Sequence, residues 1–153
     1  MNGIEKTKVI QIGVLTANIE KTIGAWAKFL GQEAPPIHQL PPYEESHALY
    51  NGEPCYGLNR QAFFEFGNVQ LEIIEPLGDA PSYWRDCLEK NGEGLHHLAF
   101  GVKDLDGCMR SMEAAGFGTG AQAGDFPGGR YGYMDATGSM NMIIEFLEFF
   151  DEK

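Results

Sequence analysis

Two stretches, VIQIGVLTANIEKTIGAWAKFLG (residues 9–31) and GLHHLAFGVKDLDGCMRSMEAAG (residues 94–116), carry one pattern, and their recurrence decides the fold. In the first, Val9 to Thr16 is β-branched and apolar and reads as a strand. Asn18 is placed to cap a helix whose apolar face runs Ile19, Ile23, Trp26, Leu30, with Gly31 as its stop. In the second, Leu95 to Val102 is the strand, Asp104 the cap and Gly116 the stop. Leu105, Met109 and Met112 repeat the helical face. Gln11 and His97, Ile19 and Leu105, Ile23 and Met109, and Trp26 and Met112 are each 86 residues apart.

Outward from these segments the repeat continues. Gln61–Phe66 and Val69–Ile74 are apolar runs around Gly67-Asn68, a hairpin signal. Arg130–Asp135 and Met140–Leu147 flank Thr137-Gly138-Ser139 in the same way. Asn68 and Asn141, Glu72 and Glu145, and Glu75 and Glu148 are each 73 residues apart. The offsets differ because the intervening loops differ in length. The chain therefore reads as one α+β domain over residues 1–153, built of two tandem βαβββ modules, about 7–76 and about 94–149. Each module buries one sheet face against its copy. A short helix, Ser82 to Lys90, joins them. Residues 32–59 hold Pro35, Pro36, Pro41, Pro42 and Pro54 and predict a long loop, either a solvated surface or a lid. Gly118 to Gly129 reads as a second, glycine-rich loop, without the strand and helix context of a phosphate cradle.

The 153 residues carry 11 Lys+Arg against 22 Asp+Glu, a formal charge of −11. Such a surface repels phosphate backbones, which argues against nucleic acid and anionic membranes as partners. An anionic ligand must find a local cationic spot, such as a bound metal or one of the few Arg residues. Arg130 is a candidate substrate anchor, with a surface strand-start role as the alternative. Cys55, Cys87 and Cys108 lie in no metal-knuckle spacing and read as reduced thiols of a cytoplasmic protein. No apolar run approaches a membrane span, and Met1 to Lys8 lacks a signal-peptide core.

The chemistry concentrates at equivalent positions of the repeat. Gln11 and His97 share one position, and Glu72 and Glu145 another, each Glu inside an apolar strand. A carboxylate on a core-facing strand is costly unless paired, protonated or metal-bound. Two carboxylates, an imidazole and a carboxamide form a nitrogen and oxygen set suited to a divalent metal. Gln70 shares the face of Glu72 and is a rival ligand. Strand alternation predicts that His96 points away from His97, and that Glu75 and Glu148 face water.

QIGVLTANIEKTIGAWAKFLG, FGNVQLEIIEPLGDAPSYWRDCLEKNGEGLHHLAFGVKDLDG and the terminal IIEFLE resemble the vicinal oxygen chelate superfamily, closest to its glyoxalase I and methylmalonyl-CoA epimerase-like branch. The resemblance covers nearly the whole chain except the Pro-rich segment. It implies a curved, barrel-like mixed sheet around a metal-binding cleft, and a homodimer. It implies metal ligation by Gln11, Glu72, His97 and Glu145, favouring Glu72 over Gln70, with zinc, cobalt, nickel or manganese as the ion. It implies a metal-dependent isomerase or epimerase that abstracts a proton alpha to a carbonyl of a small carbonyl or acyl-thioester substrate. Glu145 would serve as the base and Glu72 as the second choice. Epimerases of this type usually offer His where this chain has Gln11, and the Gln/Glu/His/Glu set resembles the zinc-using glyoxalase I subclass. A lactoylglutathione lyase is therefore the alternative. A metal-free ligand-binding protein like the bleomycin-resistance members is another. The epimerase-like middle-strand base falls at Gln61 or its neighbour. The single well-placed His97 disfavours iron dioxygenase chemistry.

Overall fold

A computed structural model describes residues 4–150, with side chains from Lys8 onward; the outermost residues of the 1–153 domain lie outside the described residues. The first half contains β1 (Ile4–Leu15), α1 (Ile19–Leu30), β2 (His38–Gln39), α2 (Tyr43–Ser46), β3 (Leu49–Tyr50), β4 (Glu53–Pro54), β5 (Leu58–Glu65) and β6 (Gln70–Leu77). After α3 (Tyr83–Asn91), the second half contains β7 (Gly94–Val102), α4 (Leu105–Ala114), β8 (Thr119–Phe126), β9 (Gly129–Ala136), the one-turn α5 (Thr137–Met140) and β10 (Met142–Phe149).

The strands form one mixed sheet in the order β2-β5-β6-β1-β7-β10-β9-β8-β3-β4, curled into a half-barrel. The two first strands pair antiparallel at its centre. Each is flanked on its other side by the last strand of its own half, in parallel. The registers obey the repeat. Gly13 pairs with Glu72 as Ala99 pairs with Glu145, and Gln11 with Gln70 as His97 with Ile143.

The convex face is covered by helices that start and stop as their sequence dictates. Asn18 caps α1 by accepting from the Lys21 amide, and Asp104 caps α4 by accepting from Gly107. Gly31 closes α1 in the left-handed conformation, at φ 68°, where glycine avoids a Cβ penalty. Ile19, Ile23 and Ala27 of α1 pack on Ala62, Phe64, Leu71 and Ile73. In the other half Leu105, Cys108 and Met112 of α4 pack on Met134, Ile144 and Phe146. A full burial of one such side chain stabilises by roughly 1.5–3 kcal/mol. A third core lies on the other face, around Trp84, Tyr83, Tyr131 and Tyr133.

Three sequence expectations are corrected. Residues 119–126 are a strand, not a loop. Gly124 within the strand and Gly118 just before it are packing devices: a Cβ at Gly118 would lie 2.3 Å from the Asp135 carbonyl oxygen, and one at Gly124 would meet the Tyr131 hydroxyl at 2.9 Å. Glu75 does not face water. It is buried, accepts from the Ile19 amide at the start of α1 and pairs with Arg60. His96 does not point away from His97: the two rings meet edge-on, 5.2 Å apart between centroids.

The Pro-rich segment does not hang free. Its β2 adds to β5 at one edge of the sheet, while β3, about ten residues on, adds to β8 at the opposite edge. Residues 40–48 thus cross the open side of the half-barrel. Tyr50 is tied to Asp86 of α3 by a hydrogen bond from its hydroxyl. No described helix is long and apolar enough to cross a membrane.

Candidate metal centre and its cavity

The four residues singled out in the sequence converge on the concave face. Two rows cross the central strands. In one, Glu72 and His97 flank Gly13; in the other, Gln11 and Glu145 flank Ala99. Gly13 and Ala99 are repeat equivalents, and their small size leaves room for the larger side chains beside them. His97 is fully buried, and Gln11, Glu72 and Glu145 are nearly so.

His97 Nε2 is the centre of the cluster. Gln11 Oε1 lies 3.0 Å from it, Glu145 Oε2 2.6 Å and Glu72 Oε1 3.6 Å. One ring nitrogen cannot satisfy three oxygens. Glu145 Oε2, despite its short distance, makes no aligned hydrogen bond, and neither does Glu72 Oε1; both are buried. Burial, reinforced by the Glu145 charge, holds the Glu72 carboxyl well above the usual carboxylate range. One ligand atom from each of Glu72, His97 and Glu145 falls within 4.8 Å of the others. Orphaned acceptor oxygens crowding one imidazole are the arrangement that a divalent cation would satisfy, so these residues fit such an ion.

Gln70, the rival ligand, is otherwise engaged. It accepts from Gln11 Nε2 at 2.7 Å and donates to Glu65 at 2.7 Å. This bond turns the Gln11 carbonyl oxygen toward His97.

His96 joins the cluster through a β-bulge. Gly13 pairs with His97 but Val14 pairs with Leu95, so His96 is the extra residue on β7 and the alternation breaks there. Its ring is buried, and its Nδ1 lies 2.9 Å from His97 Nδ1. Burial, with His97 adjoining, holds His96 well below the ordinary imidazole range. A neutral His96 can accept a hydrogen from His97 Nδ1, which leaves the His97 Nε2 lone pair facing the carboxylates. That is the tautomer a metal ligand needs. Tyr133 stacks edge-on against both rings, at 5.2 and 5.3 Å between centroids, and accepts from Trp84 Nε1 at 3.0 Å.

The cluster opens into a cavity of about 650 Å³. Its walls include Phe63, Trp84, Phe126, Tyr131 and Tyr133. Leu40, Pro41 and Glu45 of the crossing segment contribute to it. Gln61 lines it as a carboxamide, and the carboxylate reaching it from the crossing segment is Glu45. Glu45 escaped the sequence reading because its segment matched no pattern. All four clustered residues come from one chain.

Arg130 stands apart. Its neighbours Tyr131 and Tyr133 face the cavity, whereas the Arg130 guanidinium meets Asp106 of α4 at 3.1 Å and Asp125 at 3.2 Å. Arg60 does the same in the first half, meeting Glu20 of α1 and Glu75 at 2.7 Å each. Glu20 and Asp106 are themselves repeat equivalents, so Arg130 ties helix to sheet as Arg60 does.

The sequence family described as Glyoxalase/Bleomycin resistance protein/Dioxygenase superfamily matches residues 10–133. A stretch of 40 residues is 58% identical to the Uncharacterized protein YqjC of Bacillus subtilis (strain 168), covering 26% of this chain and 27% of that protein. The match thus spans about a quarter of that relative's length. Among solved structures, hypothetical protein BH1468 from Bacillus halodurans C-125 is 19% identical, with 95% of this chain and 96% of that one covered and a TM-score of 0.66. Methylmalonyl-CoA epimerase from Mycobacterium tuberculosis is 20% identical over 95% of this chain and 89% of that one, with a TM-score of 0.63. A Streptomyces coelicolor methylmalonyl-CoA epimerase in complex with 2-nitronate-propionyl-CoA is 19% identical over 94% of each chain, with a TM-score of 0.62. At these identities the structural likeness establishes a shared fold.

Proposed function

The chain belongs to the glyoxalase/bleomycin resistance protein/dioxygenase superfamily, and from that premise we propose that it is a metal-dependent isomerase or epimerase acting on carbon acids. It would abstract a proton alpha to the carbonyl of a small carbonyl or acyl-thioester substrate. The observation that carries this reading is the convergence of Glu72, His97 and Glu145 on one point, with two buried carboxylate oxygens lacking hydrogen bonds, at the floor of a ligand-sized cavity.

Glu72, His97, Glu145 and the Gln11 carbonyl oxygen would hold the ion, with zinc, cobalt, nickel and manganese as the candidates. Such an ion supplies Lewis acidity toward negative charge developing on a carbonyl oxygen. The remaining work falls to the chain. Glu145, on the last strand, takes the α-proton as general base. Glu72, placed across Gly13 from His97, is the second choice of base and would serve the opposite face. A positioned base of this kind contributes about 10²–10⁴-fold. Trp84 and Tyr133 orient the substrate, and the crossing segment with Leu40 and Pro41 limits water at the reacting carbon.

One feature favours a second reading. The carboxamide Gln11 stands at the fourth position of the cluster, 3.0 Å from His97 Nε2. A glyoxalase I-type lyase acting on a thiol–oxoaldehyde adduct would use the same proton transfer. We further propose a cytoplasmic homodimer. The buried thiols Cys55, Cys87 and Cys108 suit a reducing compartment, and Phe149 and Phe150, 59% and 55% exposed, suit a partner surface.

Metal content of protein purified without chelator or metal resin tests the reading, coupled to solvent-deuterium uptake into methylmalonyl-CoA and to turnover of the glutathione hemithioacetal of methylglyoxal. About one divalent ion per chain, lost in Glu145→Ala, with uptake into the thioester, supports the isomerase. Turnover of the hemithioacetal alone moves the assignment to the lyase. No ion, even after adding zinc, cobalt, nickel or manganese, makes the chain a metal-free binding protein.

A further inference from the structure

Tyr133 carries a polar atom to which the proton transfer above gives no part. On β9 it is the direct partner of Glu145 on β10, so the row that crosses the sheet from Gln11 through Ala99 and Glu145 continues onto its phenol. The first half holds Phe63 at the equivalent place. Phe63 pairs with Glu72 as Tyr133 pairs with Glu145, and the two aromatic residues are 70 positions apart, as are Arg60 and Arg130. Both rings line the cavity. The repeat keeps the ring in each half and adds a hydroxyl in only one, on the Glu145 side.

The hydrogen-bond inventory fixes what this hydroxyl can do. An indole nitrogen only donates, so the Tyr133 oxygen, 3.0 Å from Trp84 Nε1, accepts there. An ordinary phenol ionises at about pH 10. Burial, ahead of the Glu145 and Glu72 charges, pushes Tyr133 higher still. The oxygen therefore keeps its own hydrogen, and among the described residues none accepts it. A buried O–H without an acceptor is costly, and a ligand oxygen in the cavity would supply one. Tyr131 plays a different part. It pairs with Leu147, and its hydroxyl occupies the space that Gly124 leaves open, where Gln122 donates to it at 3.0 Å.

We propose that Tyr133 is a catalytic residue of this site, its phenol donating a hydrogen bond to the substrate oxygen on which negative charge gathers when the α-proton leaves. The inference rests on the isomerase reading and deepens it by assigning the donor. In that step the C–H bond breaks, the proton passes to Glu145, and the electron pair moves into an enolate whose charge lies on the former carbonyl oxygen. Tyr133 keeps its hydrogen throughout. A hydrogen bond to an ionised oxygen is roughly twice as strong as one to a neutral oxygen. The phenol therefore holds the enolate more tightly than the carbonyl compound, which is the condition for lowering the barrier.

Tyr133→Phe removes the hydroxyl and keeps the ring against His96 and His97. The zinc-loaded proteins are titrated calorimetrically with acetohydroxamate, whose anionic oxygen stands in for that of an enolate. Deuterium uptake into methylmalonyl-CoA and turnover of the glutathione hemithioacetal of methylglyoxal are measured beside it. Hydroxamate binding is expected to weaken about tenfold in the variant. For whichever substrate the natural protein turns over, kcat should fall by about 10²–10³-fold, the loss typical of one such donor. KM and zinc affinity should stay within about threefold, a margin below ~0.7 kcal/mol. Tyr133→Phe also strands the Trp84 indole, so Trp84→Phe is compared with the double variant Trp84→Phe/Tyr133→Phe. That pair differs only in the hydroxyl and should show the same drop. Unchanged hydroxamate binding overturns the proposal, as does a loss matched by an equal loss of zinc affinity. Weakened hydroxamate binding, with neither substrate processed by the natural protein, sinks the isomerase reading and leaves Tyr133 as the donor to an anionic oxygen.

Discussion

The space a β-carbon would fill at Gly13 is taken by the imidazole of His97: such a carbon would lie 2.0 Å from Cε1 and 2.3 Å from Nδ1. The two residues are direct partners across the central strand pair. The glycine is thus part of the site, because it lets the ring lie flat over the sheet with Nε2 toward Gln11, Glu72 and Glu145. Gly13→Ala is expected to cost about 1–3 kcal/mol by overpacking. It should also push the ring off the cluster. Zinc affinity, measured by competition with a chromophoric chelator, should fall more than tenfold while far-ultraviolet circular dichroism stays unchanged. Unaltered affinity would mean that His97 does not need this seat.

His96 is expected to act through His97. Removing the acceptor at 2.9 Å from His97 Nδ1 frees the ring to adopt the other tautomer and to rotate. Loss of such a supporting partner typically costs about 10–100-fold in metal affinity. His96→Leu should show that loss, and a changed visible spectrum of the cobalt-loaded protein. His96→Asn, whose side chain retains an acceptor, should recover most of it. Equal loss in both variants would reduce His96 to a packing role beside Tyr83 and Tyr133.

Glu72 gives a pH signature in chelator-treated protein. Its carboxyl titrates well above the usual range when folded, through burial first and the Glu145 charge second. The folded state therefore holds a proton that the unfolded state releases near pH 4, an ordinary carboxyl value of about 4.3. Stability contributed by that proton is present at low pH and declines as pH rises toward the raised folded value. Glu72→Gln cannot lose it. The variant should be more stable than the natural chain at pH 8, on the order of 1–3 kcal/mol, with the difference shrinking toward pH 4. Thermal unfolding across that range decides it, and a pH-independent difference would contradict the buried, protonated Glu72.

Much of this was legible in the sequence because the repeat doubles every signal. A lone Glu in an apolar strand is ambiguous, but Glu72 and Glu145 at one offset, with Gln11 and His97 at another, point to a shared axis. The helix caps Asn18 and Asp104 were legible because capping is local chemistry. The failures are non-local. The bulge at His96 exists only in the register of β7 against β1. Glu75 is buried because the first amide of α1 docks on it, which no strand alternation reveals. Gly118 and Gly124 resemble loop residues until the neighbouring strand supplies Asp135 and Tyr131 at contact distance. The small residues Gly13 and Ala99 recur two positions after Gln11 and His97 and mark where the sheet makes room.

Arg130 and Arg60 test the reading of charge around the site. Each guanidinium bridges the first turn of its half's helix to an acidic strand residue, through Glu20 and Glu75 or through Asp106 and Asp125. In the first set Glu75 is buried while Glu20 is exposed, and in the second both acids are half-exposed. Losing Arg130 should therefore cost little, roughly 0.2–1 kcal/mol as for an exposed pair. Losing Arg60 strands Glu75 in a buried position and should cost more, about 3–5 kcal/mol where the partner charge is left buried. Arg130→Met should leave zinc affinity and thioester binding within about twofold, a margin below ~0.5 kcal/mol. Chemical denaturation of the two variants beside calorimetric titration separates the roles. A tenfold loss of thioester binding in Arg130→Met, with stability intact, would make Arg130 a substrate anchor.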